Sequence, residues 1–380
     1  MSPDDLKVSI IVPAFNEATR LEDRIVILRQ AVASGAIDQR SSEVILVDDG
    51  STDDTADVAR LLLAPVFARL RILQLPRNSG KGAAIRAGTA VAAAPVVAFM
   101  DADMSVDPAQ IPLLLAAIKD CDVVVGSRKA SDSTIHSHRV HRFVMGRAFN
   151  LLANALTEVQ LKDTQCGFKA FRTPVARILF HLMMTDRFAF DVEILSLARQ
   201  LGLHITEVPV EWRDTGSSTV RPFADSMSMA LDVCRMHWRK QRPQIPALEV
   251  KGDTVSTGFD QGRILIGGTS VFRQTDPILP LSEDQAVILL PLCRTDEIDG
   301  AAKRLSQPST RLTVRQRLVS CGELSEMIPA SFGLTTYRHR NSNNGHVPSR
   351  DLQERRHLGR TGAVREYAQS DFEPLPRIEV

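Results

Sequence analysis

Two carboxylates one residue apart, Asp101 and Asp103, end the apolar run Val96–Met100. In an extended segment residues i and i+2 point the same way, so both can share one divalent cation and an anion bound to it. Ala102 between them leaves room for close approach. A diphosphate leaving group needs such a metal, because charge develops on it as its bond breaks. An isolated Asp-x-Asp is common by chance. This one has a companion, Val47-Asp48-Asp49-Gly50-Ser51-Thr52-Asp53, which ends another apolar run. Adjacent carboxylates there are costly unless a ribose, a base edge or a metal solvates them. The structural alternative makes Asp48 a cap and Asp49 a solvated surface group. A third signal, Val12-Pro13-Ala14-Phe15-Asn16-Glu17, follows the first apolar run; its plain counterpart is a turn in which Glu17 suits a helix dipole. The fourth, Arg77-Asn78-Ser79-Gly80-Lys81-Gly82, is not a P-loop, which requires GxxxxGK[ST]. No GxGxxG follows the first run, which argues against a dinucleotide dehydrogenase.

These signals need strands to carry them. Val8–Val12, Val44–Val47, Leu70–Leu75, Val96–Met100 and Val123–Val125 are apolar on both faces, as buried parallel strands are. Helical segments are expected between them at Glu17–Ala33, Asp53–Leu63, Lys81–Ala93 and Ala109–Lys119. This alternation predicts an α/β fold, a mostly parallel sheet flanked by helices, with ligands at the strand C-termini. Beyond Arg128 the reading gives a polar loop (Ser131–His141), a helix (Arg142–Glu158) and an irregular stretch (Lys162–Phe171). Helices at Pro174–Leu182 and Ala189–Gly202 and a strand at His204–Val210 follow. His136, His138 and His141 are expected to face solvent. Pro222–Lys240 is an amphipathic helix, with Phe223, Met227, Ala230, Leu231, Cys234 and Trp238 on one stripe and Arg235, Arg239, Lys240 and Arg242 at its end. Gln241–Pro246 reads as a linker. The expected organisation is a catalytic domain over 1–243, a poorly defined small region over 244–337 and a disordered tail over 338–380. Short apolar runs (Arg263–Ile266, Ala286–Leu292) and a helix-like segment near Leu312–Met327 fall in the small region.

Composition bounds the function. The 380 residues carry 46 Lys+Arg against 45 Asp+Glu, a balance unsuited to non-specific nucleic-acid binding. Five cysteines without a CxxC pair make neither a disulfide framework nor a zinc site. The N-terminus carries no secretory signal pattern. The longest apolar stretches, such as Ala90–Met100 with Pro95 inside it, fall short of the about 20 residues that span a bilayer. The expected location is cytoplasmic.

Together, VPAFNE, VDDGSTD, NSGKGAAIRAG, MDADMSVDP, VVGSR and DTQCGFKAF, with RFAFDVE, resemble an inverting family 2 glycosyltransferase of the GT-A fold, over about residues 7 to 240. The branch they resemble glycosylates polyprenyl phosphates, as dolichyl-phosphate glucosyltransferases and mannosyltransferases do. The resemblance implies that Pro13, Phe15, Glu17, Val47 and Asp49 hold the nucleoside. It implies that Lys81, Asp101, Ala102, Asp103 and Arg128 line the nucleotide-sugar, with Asp103 ligating Mg²⁺ or Mn²⁺. Asp101, Asp103, Asp163 and Asp191 form its catalytic set, the last two orienting the acceptor, although a structural role suits either. Lys169, Trp212 and Arg221 fall on the acceptor side. Phe15 stands where relatives often carry Tyr. Thr219 stands where they often carry Lys, with Arg221 nearby as a substitute.

A lipid phosphate is already an anion at neutral pH, so such an acceptor needs little general-base help. The implied partners are a nucleotide-sugar donor, a polyprenyl phosphate and a membrane surface, and the resemblance implies a peripheral position at the inner face of that membrane. DTQCGFK and FDVE favour UDP-glucose as donor, with GDP-mannose the alternative. A nucleotide-sugar-binding module without turnover is the non-enzymatic alternative, which the intact DAD disfavours. A family 2 enzyme with a soluble or polysaccharide acceptor is another; no QxxRW is present.

Overall fold

The computed structural model describes residues 6–136, 140–157 and 159–214, the segments 231–234, 245–251, 278–282, 285–289 and 313–319, and residues 229, 302 and 327. The β-branched runs form β1 (Val8–Ala14), β2 (Ser42–Asp48), β3 (Leu70–Gln74), β4 (Val96–Met100) and β5 (Val123–Ser127). Between them lie α1 (Ala18–Ala33), α2 (Thr55–Leu63), α3 (Lys81–Val91) and α4 (Ile111–Ala117), the last extended by a 3-10 turn at each end. Then come β6 (Thr134–His136), α5 (Val140–Thr157), β7 (Phe168–Arg172), α6 (Thr173–Leu182), α7 (Phe190–Gln200), β8 (Ile205–Pro209) and β9 (Glu211–Arg213).

Seven strands make one sheet in the order β3-β2-β1-β4-β7-β5-β8. Its neighbours are parallel except at β7, which is antiparallel to both β4 and β5. The chain moves outward from β1 to β2 on one side and to β4 on the other, so the sheet reverses its winding beside β1, where open α/β sheets bind ligands. Alternate strand residues face opposite layers. Ile11, Ile45, Val97, Phe99 and Phe171 pack with α3, α6 and α7. Ile10, Val44, Leu46, Ala98 and Phe168 pack with α1, α2 and α4. Phe99 stacks on Phe171 with ring centroids 6.0 Å apart and meets Phe190 at 5.9 Å. Glu43, buried within β2, is a structural carboxylate: it accepts from Ser9 Oγ at 2.7 Å and pairs with Arg71 at 2.9 Å.

The irregular stretch expected over Lys162–Phe171 is corrected by β7. Lys169 interrupts the apolar pattern, yet the strand sits inside the sheet with Lys169 buried. His136 is exposed on β6, as expected; His138 and the side chain of His141 lie outside the described residues.

Four further strands form an antiparallel sheet in the order β11-β12-β10-β13: β10 (Ile245–Lys251), β11 (Ile278–Ser282), β12 (Gln285–Leu289) and β13 (Thr313–Val319). Two expectations change here. Residues expected in a helix near Leu312–Met327 form β13, because Thr313–Val319 pairs along the whole of β10. The linker ends early: Ile245 and Pro246 belong to β10. Pro246 pairs only toward β13, and the β12 ladder begins at Ala247, so the missing proline N–H costs no ladder bond on that side. Ala247, Val287, Leu289 and Val319 are buried in the same cluster as the Phe99 layer. The run Arg263–Ile266 and residues 338–380 lie outside the described residues. Among the described residues, no helix is long and apolar enough to cross a membrane.

Candidate functional site

Neighbouring strand ends converge because Ala14, at the end of β1, is in register with Asp48 at the end of β2. The loops that leave them are stitched together. Asn16, held at φ 52°, donates its N–H to Ser51 Oγ, and its side-chain oxygen accepts from Thr52 N–H, both at 2.9 Å. Glu17 N–H donates to Thr55 Oγ1 at 2.9 Å. Asp48 accepts from Ser51 N–H at 2.9 Å, a cap that lets the chain turn. Gly50 is obligatory there: φ is 69°, and a β-carbon would lie 2.3 Å from the Arg77 carbonyl carbon. Phe15 is left exposed at this mouth.

Asp49 is not a solvated surface group. It is 4% exposed, and its two oxygens accept from Ser79 and Gly80 N–H, each at 2.8 Å. Burial pushes its carboxyl up and those two amides oppose the push. Its work is to hold the Arg77–Gly82 loop, which opens α3 with Lys81. Val47 is fully buried in the core, so only its main chain can meet a ligand. Pro13, its register partner on β1, is half-buried.

Lys81 reaches across to the end of β4, where its Nζ lies 2.5 Å from Asp101 Oδ1. Asp101, Ala102, Asp103 and Met104 form a tight turn, closed by Met104 N–H on Asp101 O at 3.0 Å, with Met104 at φ 51°. Asp103 Oδ1 accepts from Ser105 N–H at 3.0 Å. Burial and then the charge of Asp101 push the Asp103 carboxyl above its ordinary value. Burial likewise raises Glu17, with Arg20 opposing and Asp103 adding to the rise.

Behind this pair the charges alternate. Lys169 Nζ donates to Asp191 at the start of α7 and to Cys166 O at 2.8 Å, and it sits 5.5 Å from the Phe99 ring centre. Burial raises the Asp191 carboxyl, with Lys169 and then Lys81 pulling it back. Burial disfavours the Lys81 ammonium, but Asp101 and Asp191 outweigh it and hold Lys81 above its usual range. Removing one member of such a buried pair typically costs about 3–5 kcal/mol.

Arg128, one residue beyond β5, forks onto Asp163, Nε to Oδ2 at 2.7 Å and Nη2 to Oδ1 at 2.9 Å. Burial would raise Asp163, but Arg128 holds it down to about 2. Glu207 on β8 accepts from Lys162 and Asp163 N–H, both at 3.0 Å, and so fixes the loop. The Arg128 guanidinium lies 5.8 Å from the Trp212 ring centre, within cation–π reach.

The structure brings several of the expected residues together in two neighbouring groups. Lys81, Asp101, Asp103, Lys169 and Asp191 are linked by charge, and Arg128, Asp163 and Trp212 form a neighbouring group. Asp163 and Asp191, expected to orient an acceptor, are 1% and 5% exposed and occupied by cations; they position Arg128 and Lys169 instead. Lys169, also 1% exposed, cannot touch an acceptor. Arg221 lies outside the described residues. Sequence reasoning missed Gly167, where a β-carbon would fall 2.1 Å from Asp101 Oδ2; its only signal was its place in DTQCGFK. Among the described residues, no group of three His, Cys, Asp or Glu side chains could hold a metal. The two strand-end carboxylates nevertheless suit a magnesium-like ion, which commonly takes one or two carboxylates and completes its shell with substrate phosphates and water. Asp103 has a charged neighbour in Asp101 whose repulsion a cation would offset, although burial is the larger cause of its raised carboxyl.

Residues 9–180 match the family model described as glycosyl transferase family 2. The chain is 35% identical over 248 residues to the dolichyl-phosphate beta-glucosyltransferase of Dictyostelium discoideum, covering 62% of this chain and 75% of that one. It is 34% identical to the Drosophila melanogaster protein of the same name over 241 residues (60% and 73%) and 30% identical to the Homo sapiens one over 241 residues (60% and 74%). Among solved structures, it is similar to glucosyl-3-phosphoglycerate synthase from Mycobacterium tuberculosis, at 22% identity and a TM-score of 0.44, covering 60% of this chain and 77% of that one. A third of the residues shared across three quarters of a relative's length reflects common descent, and the chain belongs to glycosyl transferase family 2.

Proposed function

We propose that this glycosyltransferase moves glucose from UDP-glucose to dolichyl or a related polyprenyl phosphate, with inversion, at a membrane surface. The observation that carries this reading is the 35% identity that spans 75% of a dolichyl-phosphate beta-glucosyltransferase. The nucleoside lies against Pro13, Phe15, Glu17 and the main chain at Val47. Lys81, Asp101, Ala102, Asp103 and Arg128 face the diphosphate and sugar. Asp103, with Asp101 beside it, holds Mg²⁺ or Mn²⁺, which offsets the charge growing on the departing diphosphate.

A phosphate oxygen of the acceptor bonds to the anomeric carbon as the bond from that carbon to the diphosphate breaks. The electron pair leaves with the nucleoside diphosphate. No proton has to be removed from an ionised phosphate, so the site needs no free general base. That matches Asp163 and Asp191, whose carboxylates are engaged by Arg128 and by the buried Lys169. The site's work is then positioning and electrostatic stabilisation. Arg128, with two of its five donors on Asp163, keeps others for an anion. Trp212 lies on the acceptor side of it.

The test is transfer of label from UDP-[¹⁴C]glucose, against GDP-[¹⁴C]mannose, to a mixed lipid extract and to purified dolichyl phosphate. Label from UDP-glucose in a lipid product is the expected outcome. Label only from GDP-mannose would transfer the assignment to the mannosyl branch. Donor binding without lipid product from either sugar would leave a binding module.

A further inference from the structure

We propose that Lys81 is a resident counter-ion that withholds Asp101 from a divalent cation until a diphosphate arrives and draws the ammonium away. The inference rests on the metal-assisted reading above and concerns the order in which that site fills.

The geometry is specific. Lys81 Nζ is 2.5 Å from Asp101 Oδ1, and its side chain is only 19% exposed. The helix start that carries it is fixed from two sides: Asp49 takes the N–H groups of Ser79 and Gly80, and Ala83 N–H donates to Asp186 O at 3.2 Å. Asp101 lies over Gly167 and fills the space where that residue lacks a side chain. One of the two carboxylates offered to a metal is therefore already engaged by a cation.

The charge balance leads the same way. Asp101, Asp103 and Asp191 bring three negative charges, and Lys81 and Lys169 return two. The nearby Glu17 is paired with Arg20 at 3.0 Å, and Arg128 with Asp163. A bare divalent ion thus meets a cluster one charge short of neutral, with an ammonium on its second ligand. With that ion bound the cluster would carry one net positive charge, which a diphosphate offsets while offering a new partner to Lys81, whose four-carbon stem allows it to move. Asp101 is then released to the metal. Metal and nucleotide would each raise the other's affinity by one shared factor, as linkage requires.

The test is Mn²⁺ binding to the full chain, read by the electron paramagnetic resonance of free Mn²⁺, with and without UDP. Wild type should bind Mn²⁺ weakly alone and on the order of ten- to a hundredfold more tightly with UDP. Lys81→Met should bind Mn²⁺ alone about tenfold more tightly and lose most of the enhancement by UDP. Lys81→Arg, which keeps the charge, should behave like wild type. Lys81→Gln gives the same reading if the methionine variant does not fold. Unchanged Mn²⁺ affinity in folded Lys81→Met, with wild type still enhanced by UDP, overturns the counter-ion role and leaves the metal-assisted reading standing. Tight Mn²⁺ binding by wild type without UDP does the same. No Mn²⁺ binding by wild type even with UDP overturns both.

Discussion

Gly167 and Asp101 share one space: the position a β-carbon would take on Gly167 lies 2.1 Å from Asp101 Oδ2 and 2.3 Å from its Cγ. The antiparallel strand β7 begins at the next residue, so its approach to β4 is what brings this glycine under the acidic turn. Gly167→Ala should push Asp101 off its ion pair with Lys81. Because a displacement of about 1 Å in a reacting group can cost roughly 100-fold, transfer should fall by about that factor while thermal unfolding changes little. Wild-type kcat/KM in Gly167→Ala would show that the position of Asp101 does not matter.

Arg128 and Asp163 give a prediction in pH. The folded Asp163 carboxyl is held down to about 2, against 3.8 when unfolded. The stabilisation is therefore whole above 3.8 and drains away as pH falls through 3.8 toward about 2. Asp163→Asn should be less stable than wild type by about 1–3 kcal/mol near neutrality, since it takes a charged partner from a guanidinium that is only part-exposed. In urea unfolding the gap should narrow by about 1 kcal/mol for each pH unit below 3.8. A gap that stays constant from pH 6 to 3 would mean that Asp163 does not carry this linkage.

Asp103→Ala removes one carboxylate from a surface turn and nothing from either core layer. It should unfold at nearly the wild-type temperature and abolish transfer, and EDTA should abolish transfer by wild type. Addition of Mn²⁺ or Mg²⁺ should restore the EDTA-treated protein but not the variant. Full transfer by Asp103→Ala in EDTA would sink the metal assignment.

Much of the site was legible because strand ends carry a local signal. An apolar run that stops at Asp48-Asp49 or Asp101-Ala102-Asp103 declares both its burial and its exit. What was hidden depends on distant partners. Lys169 looks like a break in a strand until Asp191, on another element, neutralises it. The hold of Asp49 on the N–H groups of Ser79 and Gly80, some thirty residues on, is likewise not written in its own neighbourhood. Thr313–Val319 looks helical because its pairing with β10 is not written in its own spacing. In each case a long-range contact decided what local pattern left open.

A chain ending at Pro243 tests the domain boundary. Every site residue placed above precedes residue 214, and the seven-stranded sheet is complete by Pro209. Such a chain should fold and bind UDP with unchanged affinity. It should also melt at a lower temperature than the full chain, because Ala247, Val287, Leu289 and Val319 would no longer cover the Phe99 layer. Soluble, folded protein that fails to bind UDP would make the second sheet part of the catalytic unit.

The membrane surface proposed as a partner can be tested at the short helical segment 231–234. Val233 is fully buried against Phe149 and Ala153 of α5 and Val192 of α7. Leu231, a member of the apolar stripe read from the sequence, is 52% exposed, and Leu151 on α5 is 73% exposed. At this point the packing residue is Val233, while Leu231 faces out and Cys234 is half-buried. In the sequence the stripe runs on into Arg235, Arg239, Lys240 and Arg242, and its members Phe223, Met227, Ala230 and Trp238 lie outside the described residues. An interfacial helix with a basic end binds anionic lipid, at about 1 kcal/mol per Lys or Arg near the surface. Replacing Leu231 with Glu should weaken sedimentation with phosphatidylserine-containing vesicles and leave UDP binding and the melting temperature unchanged. Replacing Trp238 together with the four basic residues should release the protein almost completely, most of all at low salt. Val233→Glu is the opposite case, since it puts a charge into a packed cluster and should lower the melting temperature sharply. If Leu231→Glu destabilises the protein as much as Val233→Glu does, or sediments as well as wild type, the stripe is core and the lipid is met elsewhere.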